Sequence, residues 1–273
     1  MPEEDRADTG VRSVQVALGI IEMLAASEAE MGVTEIASRM GLTKGAVFRH
    51  LATLVERGYI VQDPASSRYG WGPRLYLLSR MGSARHDLLS LSEEPMRWLR
   101  DELDQTVVLS AATARSVVVL STMPSNRPVE IGVRPGSELS LNASAQGKVA
   151  LAFGPAALRE RLIAGELPRF TERTITEIGP LDREVQEVRR QGWASAPGEV
   201  EFGINAIAVP VLSPGGELVA TLAILGSMGS VGAAPTEAQR EALQAASRRI
   251  TGKLAPAPIP ADPARRAGPR ARR

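Results

Sequence analysis

The residue types that carry most protein chemistry are thinly supplied in this chain. Cysteine is absent, and histidine occurs twice, at His50 and His86. Thiol catalysis, disulfide scaffolds and cysteine-ligated zinc or iron–sulfur clusters are thereby excluded, and a histidine-rich metal centre is disfavoured. No metal site and no cofactor is expected. Gly147-Lys148 resembles the end of a phosphate-binding loop, but Asn142 stands where the first glycine is required and Val149 where Ser or Thr is required. The glycines of Gly226-Ser227-Met228-Gly229-Ser230-Val231-Gly232 are wrongly spaced for a dinucleotide fingerprint, and no Gly-x-Ser-x-Gly elbow occurs. Glu199 and Glu201 flank a turn, where solvation is the simpler expectation. These observations argue against an enzyme. What remains is a set suited to a polyanion: Lys44, Gly45, Phe48 and Arg49 within one short segment. Lys44 or Arg49 can reach guanine O6/N7 or a phosphate, and a good bidentate base contact discriminates by about 1–3 kcal/mol. Phe48 suits a thymine methyl. Gly45 permits close backbone approach, with a tolerated first-turn glycine nearly as good an explanation. For Lys44 and Arg49 the competing explanation is a solvated helix face, and contact with nucleic acid is preferred over it.

Such residues must be presented by a rigid element. A helix-turn-helix needs a small residue where its helices cross, a residue free to take positive φ in the turn, and an apolar anchor on the second helix. Ala37, Gly41 and Val47 supply these at spacings of four and six. Before them, Val14, Leu18, Ile21 and Leu24 recur at helical spacing and predict one apolar stripe on a first helix, broken at Met31-Gly32. Thr34–Met40 predicts a short second helix that Gly41 ends. Thr43 caps a third helix whose buried face is Val47, Leu51, Leu54 and Val55. That burial turns Lys44, Gly45, Phe48 and Arg49 outward, as a recognition helix in a major groove requires. Gly58 stops the helix. Residues 59–62 and 68–71 then predict two strands about the turn 63–67, with Gly72-Pro73 closing a wing. In that wing Arg68 is balanced between gripping a phosphate or the minor groove and plain solvation.

The remainder reads as mixed helix and strand. Residues 74–104 are mostly helical, with a polar stretch around 82–92 that predicts a linker. Strands are predicted over 106–113 and 116–123 as a hairpin, and over 128–134, 204–212 and 217–225, the last two joined by Ser213-Pro214-Gly215-Gly216. Helices are predicted over 145–153, 155–163, 181–191 and 235–254. Antiparallel strands with helices at intervals predict an α+β sensor-like sheet and not a doubly wound fold. At 44% hydrophobic and 23% charged residues the composition is globular, and with 4% aromatics the core must be aliphatic. No apolar run reaches the length of a membrane-spanning helix, and the polar first ten residues carry no secretory pattern, so a cytoplasmic location with no membrane partner is expected. Net charge is +1, unevenly spread: residues 11–85 are mildly basic and the body that follows slightly acidic, a weak hint of a polyanion partner. Residues 254–273, rich in Pro, Ala and Arg, cannot bury apolar surface and predict a disordered tail.

Several of these segments together resemble the IclR family of bacterial transcriptional regulators. RSVQVALGIIEMLA is similar to the family's first helix, VTEIASRMGLTKGAVFRHLATLVERGYI to its helix-turn-helix and DPASSRYGWGPRL to its wing. RPGSELSLNASAQGKVALA resembles the central loop and helix of its effector domain, and GWASAPGEVEFGINAIAVPVL its C-terminal signature. The resemblance implies an α+β chain in which an N-terminal winged helix-turn-helix domain is joined by a helical linker to a GAF-like effector domain. It implies homodimers through the N-terminal half, with tetramers as a further state. The expected organisation is a disordered N-terminus over 1–10, a winged helix-turn-helix domain over 11–73 with its core at 33–52, a linker helix plus effector-binding and oligomerisation domain over 74–254, and a disordered Arg/Pro tail over 255–273. The expected function is sequence-specific binding to operator DNA, as repressor or activator, controlled by a small organic-acid effector. The competing expectation is a ligand-sensing protein-interaction or dimerisation module without DNA binding.

The candidate DNA-contacting residues are Thr43, Lys44, Gly45, Phe48, Arg49 and Arg68. The chain departs from the family pattern at His50, where an apolar residue is usual, with a core-edge position preferred over a phosphate contact. It departs again at Asn142, where histidine is common, and at Ala196, where Asp or Ser is common. The positions matching the family's effector site are Ala145, Gln146, Ala196, Ala206, Ala223 and Leu225, with the backbone of Ala145–Gly147 opening a helix that can hold a carboxylate. Apart from Gln146 these side chains are apolar, which favours an aromatic or otherwise hydrophobic organic acid at about 25 cal/mol per Å² buried. The plainer explanation is that these alanines are ordinary core.

Overall fold

The computed structural model describes residues 11–27, 29–83 and 88–254, which fall into two compact units, one ending and the other beginning between residues 83 and 88. The tails expected to be disordered, 1–10 and 255–273, and part of the polar stretch 82–92 lie outside the described residues. No described helix is long and apolar enough to cross a membrane.

The first unit runs α1 (Arg12–Ala26), α2 (Val33–Met40), α3 (Lys44–Glu56), β1 (Ile60–Gln62), β2 (Tyr69–Trp71) and α4 (Pro73–Ser83). Gly41 ends α2 in the left-handed region at φ 64°, a conformation that costs residues with a Cβ about 1–2 kcal/mol. Its neighbour Leu42 donates back to the Ala37 carbonyl, closing the tight turn. Thr43 Oγ1 then accepts from Ala46 N and starts α3. Ile20, Leu24, Ile36, Ala37, Val47, Leu51 and Leu54 close the core with Ile60 and Tyr69 of the antiparallel wing. Two expectations need correction. Val14 and Leu18 are 53% and 52% exposed, because α1 presents Ile20 and Leu24, flanked by Val16 and Ala17, to the core and turns the Val14 and Leu18 edge outward. Val55 is also exposed, since burying Leu51 and Leu54 turns it about 100° away.

The second unit begins with α5 (Leu88–Leu103) and contains β3 (Thr106–Ala112), β4 (Val117–Met123), β5 (Glu138–Leu139), α6 (Ala145–Phe153), α7 (Ala156–Ile163), α8 (Ile178–Gln191), β6 (Ala194–Ser195), β7 (Ile204–Leu212), β8 (Leu218–Ser227) and α9 (Glu237–Lys253). The strands form one antiparallel sheet in the order β5-β4-β3-β8-β7-β6. Period-two alternation divides its side chains between two layers. Val107, Leu109, Ile207, Val209, Leu222 and Ile224 pack with Met96 and Leu99 of α5 and Leu243, Ala246 and Ile250 of α9. Val117, Ala208 and Ala223 pack with Ala145 and Val149 of α6 and with Leu181, Val185 and Val188 of α8. Thr236 and Gln239 exchange a capping box at the start of α9.

The predicted strand over 128–134 does not form. Its would-be edge is taken: Val119 bonds through N and O to residues 137 and 136, and Val117 pairs with Leu139 of β5. Pro128 within the segment and Pro135 just after it also lack backbone donors. Ile131 and Val133 instead pack on Val108, Val119 and Leu225, so the segment lies as a wall against the helix-bearing layer of α6. The two-residue strands β5 and β6 were not foreseen.

Candidate nucleic-acid interface and effector cavity

In the first unit the test of an outward recognition face is where α3 points its side chains. Val47 and Leu51 are fully buried and Leu54 nearly so. Lys44, Gly45, Phe48 and Arg49, at i, i+1, i+4 and i+5, share the opposite face and are exposed, Phe48 to 56%. Thr43 is exposed beside them. Lys44 and Arg49 form no ion pair among the described residues, so their charges are not spent within the fold. A Cβ on Gly45 would meet nothing within 4 Å, so packing within the protein does not require glycine there. His50 is half-buried, at the edge of the core. Arg68 is partly committed: Nε donates to the Glu30 carbonyl at 2.7 Å and Nη2 to Glu35 Oε2 at 3.3 Å, while Glu35 also pairs with Arg39. These bonds tie the wing to the start of α2. The wing turn is held by Asp63, which accepts from the hydroxyl and amide of Ser66 and the amide of Ala65, and these bonds hold its carboxyl below the usual carboxylate value.

In the second unit a cavity of about 360 Å³ opens between the sheet, the start of α6 and the 128–134 wall. The start of α6 is built by short-range bonds. Ser144 Oγ accepts from Gly147 N at 2.9 Å and donates to the Ser140 carbonyl at 2.6 Å. A Cβ on Gly147 would lie 2.2 Å from that same carbonyl oxygen, so only glycine fits. Asn142, fully buried, donates to the carbonyls of Ile175 and Pro168 and accepts from Ser140 Oγ, pinning the loop before α6 to the 168–175 segment.

Of the residues singled out in the sequence, Ala145, Gln146, Ala196, Ala206 and Leu225 line this cavity. Gly147 and Ala223 do not: Gly147 is packed on the 140–141 backbone, and Ala223 is fully buried among α6 and α8. Sequence reasoning missed Ile131, Val133, Glu130, Val200, Glu201 and Asn205, all of which contribute. The first three lie on the segment misread as a strand, and reading Pro128 and Pro135 as brackets around a non-strand would have found them.

Beside α6 stands a second group the sequence concealed. Lys148, only 1% exposed, reaches Glu199 Oε1 at 2.6 Å, the Ser195 carbonyl at 3.1 Å and Glu184 Oε1 at 3.3 Å. Glu199, expected to be solvated, is buried. Burial pushes its carboxyl above the ordinary glutamate value against the opposing pull of the Lys148 ammonium. A lysine in the middle of the apolar helix AQGKVALAF was the available signal, because a charge buried there demands a carboxylate.

Known proteins match both units. The model of the IclR helix-turn-helix domain covers residues 13–64, and that of the bacterial transcriptional regulator IclR C-terminal region covers 83–252. The HTH-type transcriptional regulator KdgR of Escherichia coli is 32% identical over 221 residues, 81% of this chain and 84% of the relative. The regulator BhcR of Paracoccus denitrificans is 29% identical over 90% of this chain and 88% of its own. Among solved structures, an IclR transcriptional regulator from Alicyclobacillus acidocaldarius superposes with a TM-score of 0.76 at 26% identity, covering 90% of this chain and all of that one. An IclR homologue from Microbacterium hydrocarbonoxydans complexed with 4-hydroxybenzoate gives 0.75 at 23% identity, over 89% and 98%. With both regions matched in order, and together spanning most of its length, the chain belongs to the IclR family of bacterial transcriptional regulators.

Proposed function

We propose that this chain is a sequence-specific DNA-binding regulator, acting as a homodimer or tetramer on a two-part operator, and that an aromatic or hydrophobic monocarboxylate in the 360 Å³ cavity controls its binding. The observation that carries the DNA half is the division of α3: Val47 and Leu51 fully buried, with Lys44, Gly45, Phe48 and Arg49 exposed behind the Thr43 cap. Arg68 of the wing has Nη1 engaged by no described residue, which supports its use as a phosphate contact. Two recognition helices of a dimer would read half-sites about 34–36 Å apart. The same architecture serves repressor and activator; the relative AllR of Klebsiella pneumoniae is named a repressor.

For the effector half, the apolar cavity supports a ligand with hydrophobic area. The N–H groups of Ala145 and Gln146, which make no hydrogen bond among the described residues, offer a carboxylate the positive end of α6. The 4-hydroxybenzoate held by the Microbacterium homologue belongs to this ligand class. Ligand occupancy would shift the dimer between arrangements that match or miss the half-site spacing, with α4 and α5 as transmitters. Such coupling is typically about 1–3 kcal/mol and reciprocal.

Electrophoretic or fluorescence titration against DNA flanking the chain's own gene tests this. Phe48→Ala is expected to relax sequence preference, and Arg49→Ala to weaken binding, with log affinity falling against log salt at about −0.9 per phosphate contacted. Parent-like binding by both variants refutes the assigned surface, and absence of binding at low salt favours a protein-interaction module.

A further inference from the structure

The two ends of the cavity differ chemically in a way that the family assignment does not specify. At the inner end, Gln146 is 3% exposed and lines the cavity, yet its carboxamide has no hydrogen-bond partner among the described residues. The other buried polar side chains there are spent. Asn205 accepts from Ala196 N and donates to the carbonyls of Val231 and Gly232, and Ser144 is saturated within its own turn. The carboxamide faces the cavity, where water or a ligand group can complete it. Glu130 and Glu201 line the same cavity and, being exposed, stand at its mouth, where they form no ion pair among the described residues. No Lys, Arg or His lines the cavity among the described residues.

We propose that Glu130 and Glu201 form a donor-selective subsite, so that the effector is a monocarboxylate carrying a hydroxyl or ammonium at the end remote from its carboxylate. This presupposes that the cavity is the effector site. The carboxylate lies at the Ala145 and Gln146 amides with Gln146 Nε2 donating to it. The apolar body lies across Ala206, Leu225 and Ile131. The far donor bonds to Glu130 or Glu201, and charge-assisted bonds of this kind are about twice as strong as neutral ones. A second carboxylate at the mouth would face two anions with no cation in the cavity lining among the described residues, Arg134 lying in the adjoining recess beside Glu130, so dicarboxylates are disfavoured.

Calorimetric titration of the full chain with benzoate, 4-hydroxybenzoate, 4-(aminomethyl)benzoate and terephthalate tests the subsite. The hydroxylated and aminated acids are expected to bind about tenfold more tightly than benzoate, and terephthalate about tenfold more weakly. Exchanging both acids, Glu130→Gln with Glu201→Gln, should bring the four ligands within about threefold of one another. Gln146→Leu should weaken all four alike. If benzoate binds and terephthalate binds equally well, or if the double exchange leaves the ranking intact, the subsite is overturned while the cavity assignment stands. If none of the four binds, the aromatic-acid effector itself is overturned, and the subsite with it.

Discussion

Replacing Lys148 by methionine probes the most unusual interaction of the effector unit. Lys148 is 1% exposed and its ammonium serves Glu199, the Ser195 carbonyl and Glu184. An intact buried pair of this kind adds little net stability, because desolvating two charges offsets most of their attraction, and burial is the foremost influence on the Glu199 carboxyl. Breaking it is another matter: Lys148→Met leaves Glu199 charged, buried and unpaired, which costs about 3–5 kcal/mol. The double replacement Lys148→Met with Glu199→Leu removes both charges and should recover most of that loss, giving a coupling energy of about 2–3 kcal/mol. The sign of the pH dependence follows from the raised carboxyl. In Lys148→Met the folded-state pKa of Glu199 rises further above the unfolded value near 4.5, so the penalty is absent below about pH 4.5 and grows as pH rises toward the new folded value. Urea denaturation of the parent, the single variants Lys148→Met and Glu199→Leu, and the double variant at several pH values measures this. A Lys148→Met cost below about 1 kcal/mol at neutral pH, a cost independent of pH, or strict additivity in the double variant would each refute the reasoning.

Two further outcomes are expected. Gly147→Ala forces a methyl to within 2.2 Å of the Ser140 carbonyl, so α6 must shift; a loss of about 3 kcal/mol in denaturant unfolding is expected, with a loss below about 0.5 kcal/mol contradicting the close packing. Arg68→Ala removes an exposed tie to Glu35 and should cost less than about 1 kcal/mol of stability, while lowering the salt slope of DNA binding by about 0.9; an unchanged slope would reduce Arg68 to a strut within the wing.

The elements carrying strong local signals were legible in the sequence. Gly41 and Thr43 mark the turn of the helix-turn-helix by backbone conformation and capping, and the structure places both as those mechanisms require. α6 and β7 were likewise readable, one from its apolar run and the other from its length and the Pro-Gly-Gly turn that follows. What escaped depends on tertiary competition. Residues 128–134 have strand-like composition, and only the prior claim of residues 136–139 on the β4 edge denies them a partner. The α1 stripe was placed on Val14 and Leu18 because periodicity fixes spacing but not which of two overlapping apolar faces meets α3. Glu199 looked solvated because its counter-ion is 51 residues away in the chain. Of the effector residues implied by the family resemblance, Ala145, Gln146, Ala196, Ala206 and Leu225 line the cavity, whereas Gly147 and Ala223, on the same helix start and the same sheet, are spent on packing, because neighbours along one element face different sides.

The wall over 128–134 is attached by the side chains of Ile131 and Val133 and by a Thr122 hydroxyl donating to the Val133 carbonyl, without a run of ladder bonds. Opening it breaks no strand pairing, so its amides should exchange with solvent far faster than those of β3 and β8. Lifting this segment would therefore open the cavity beneath it at a small fraction of the energy needed to unfold the unit, leaving the sheet untouched.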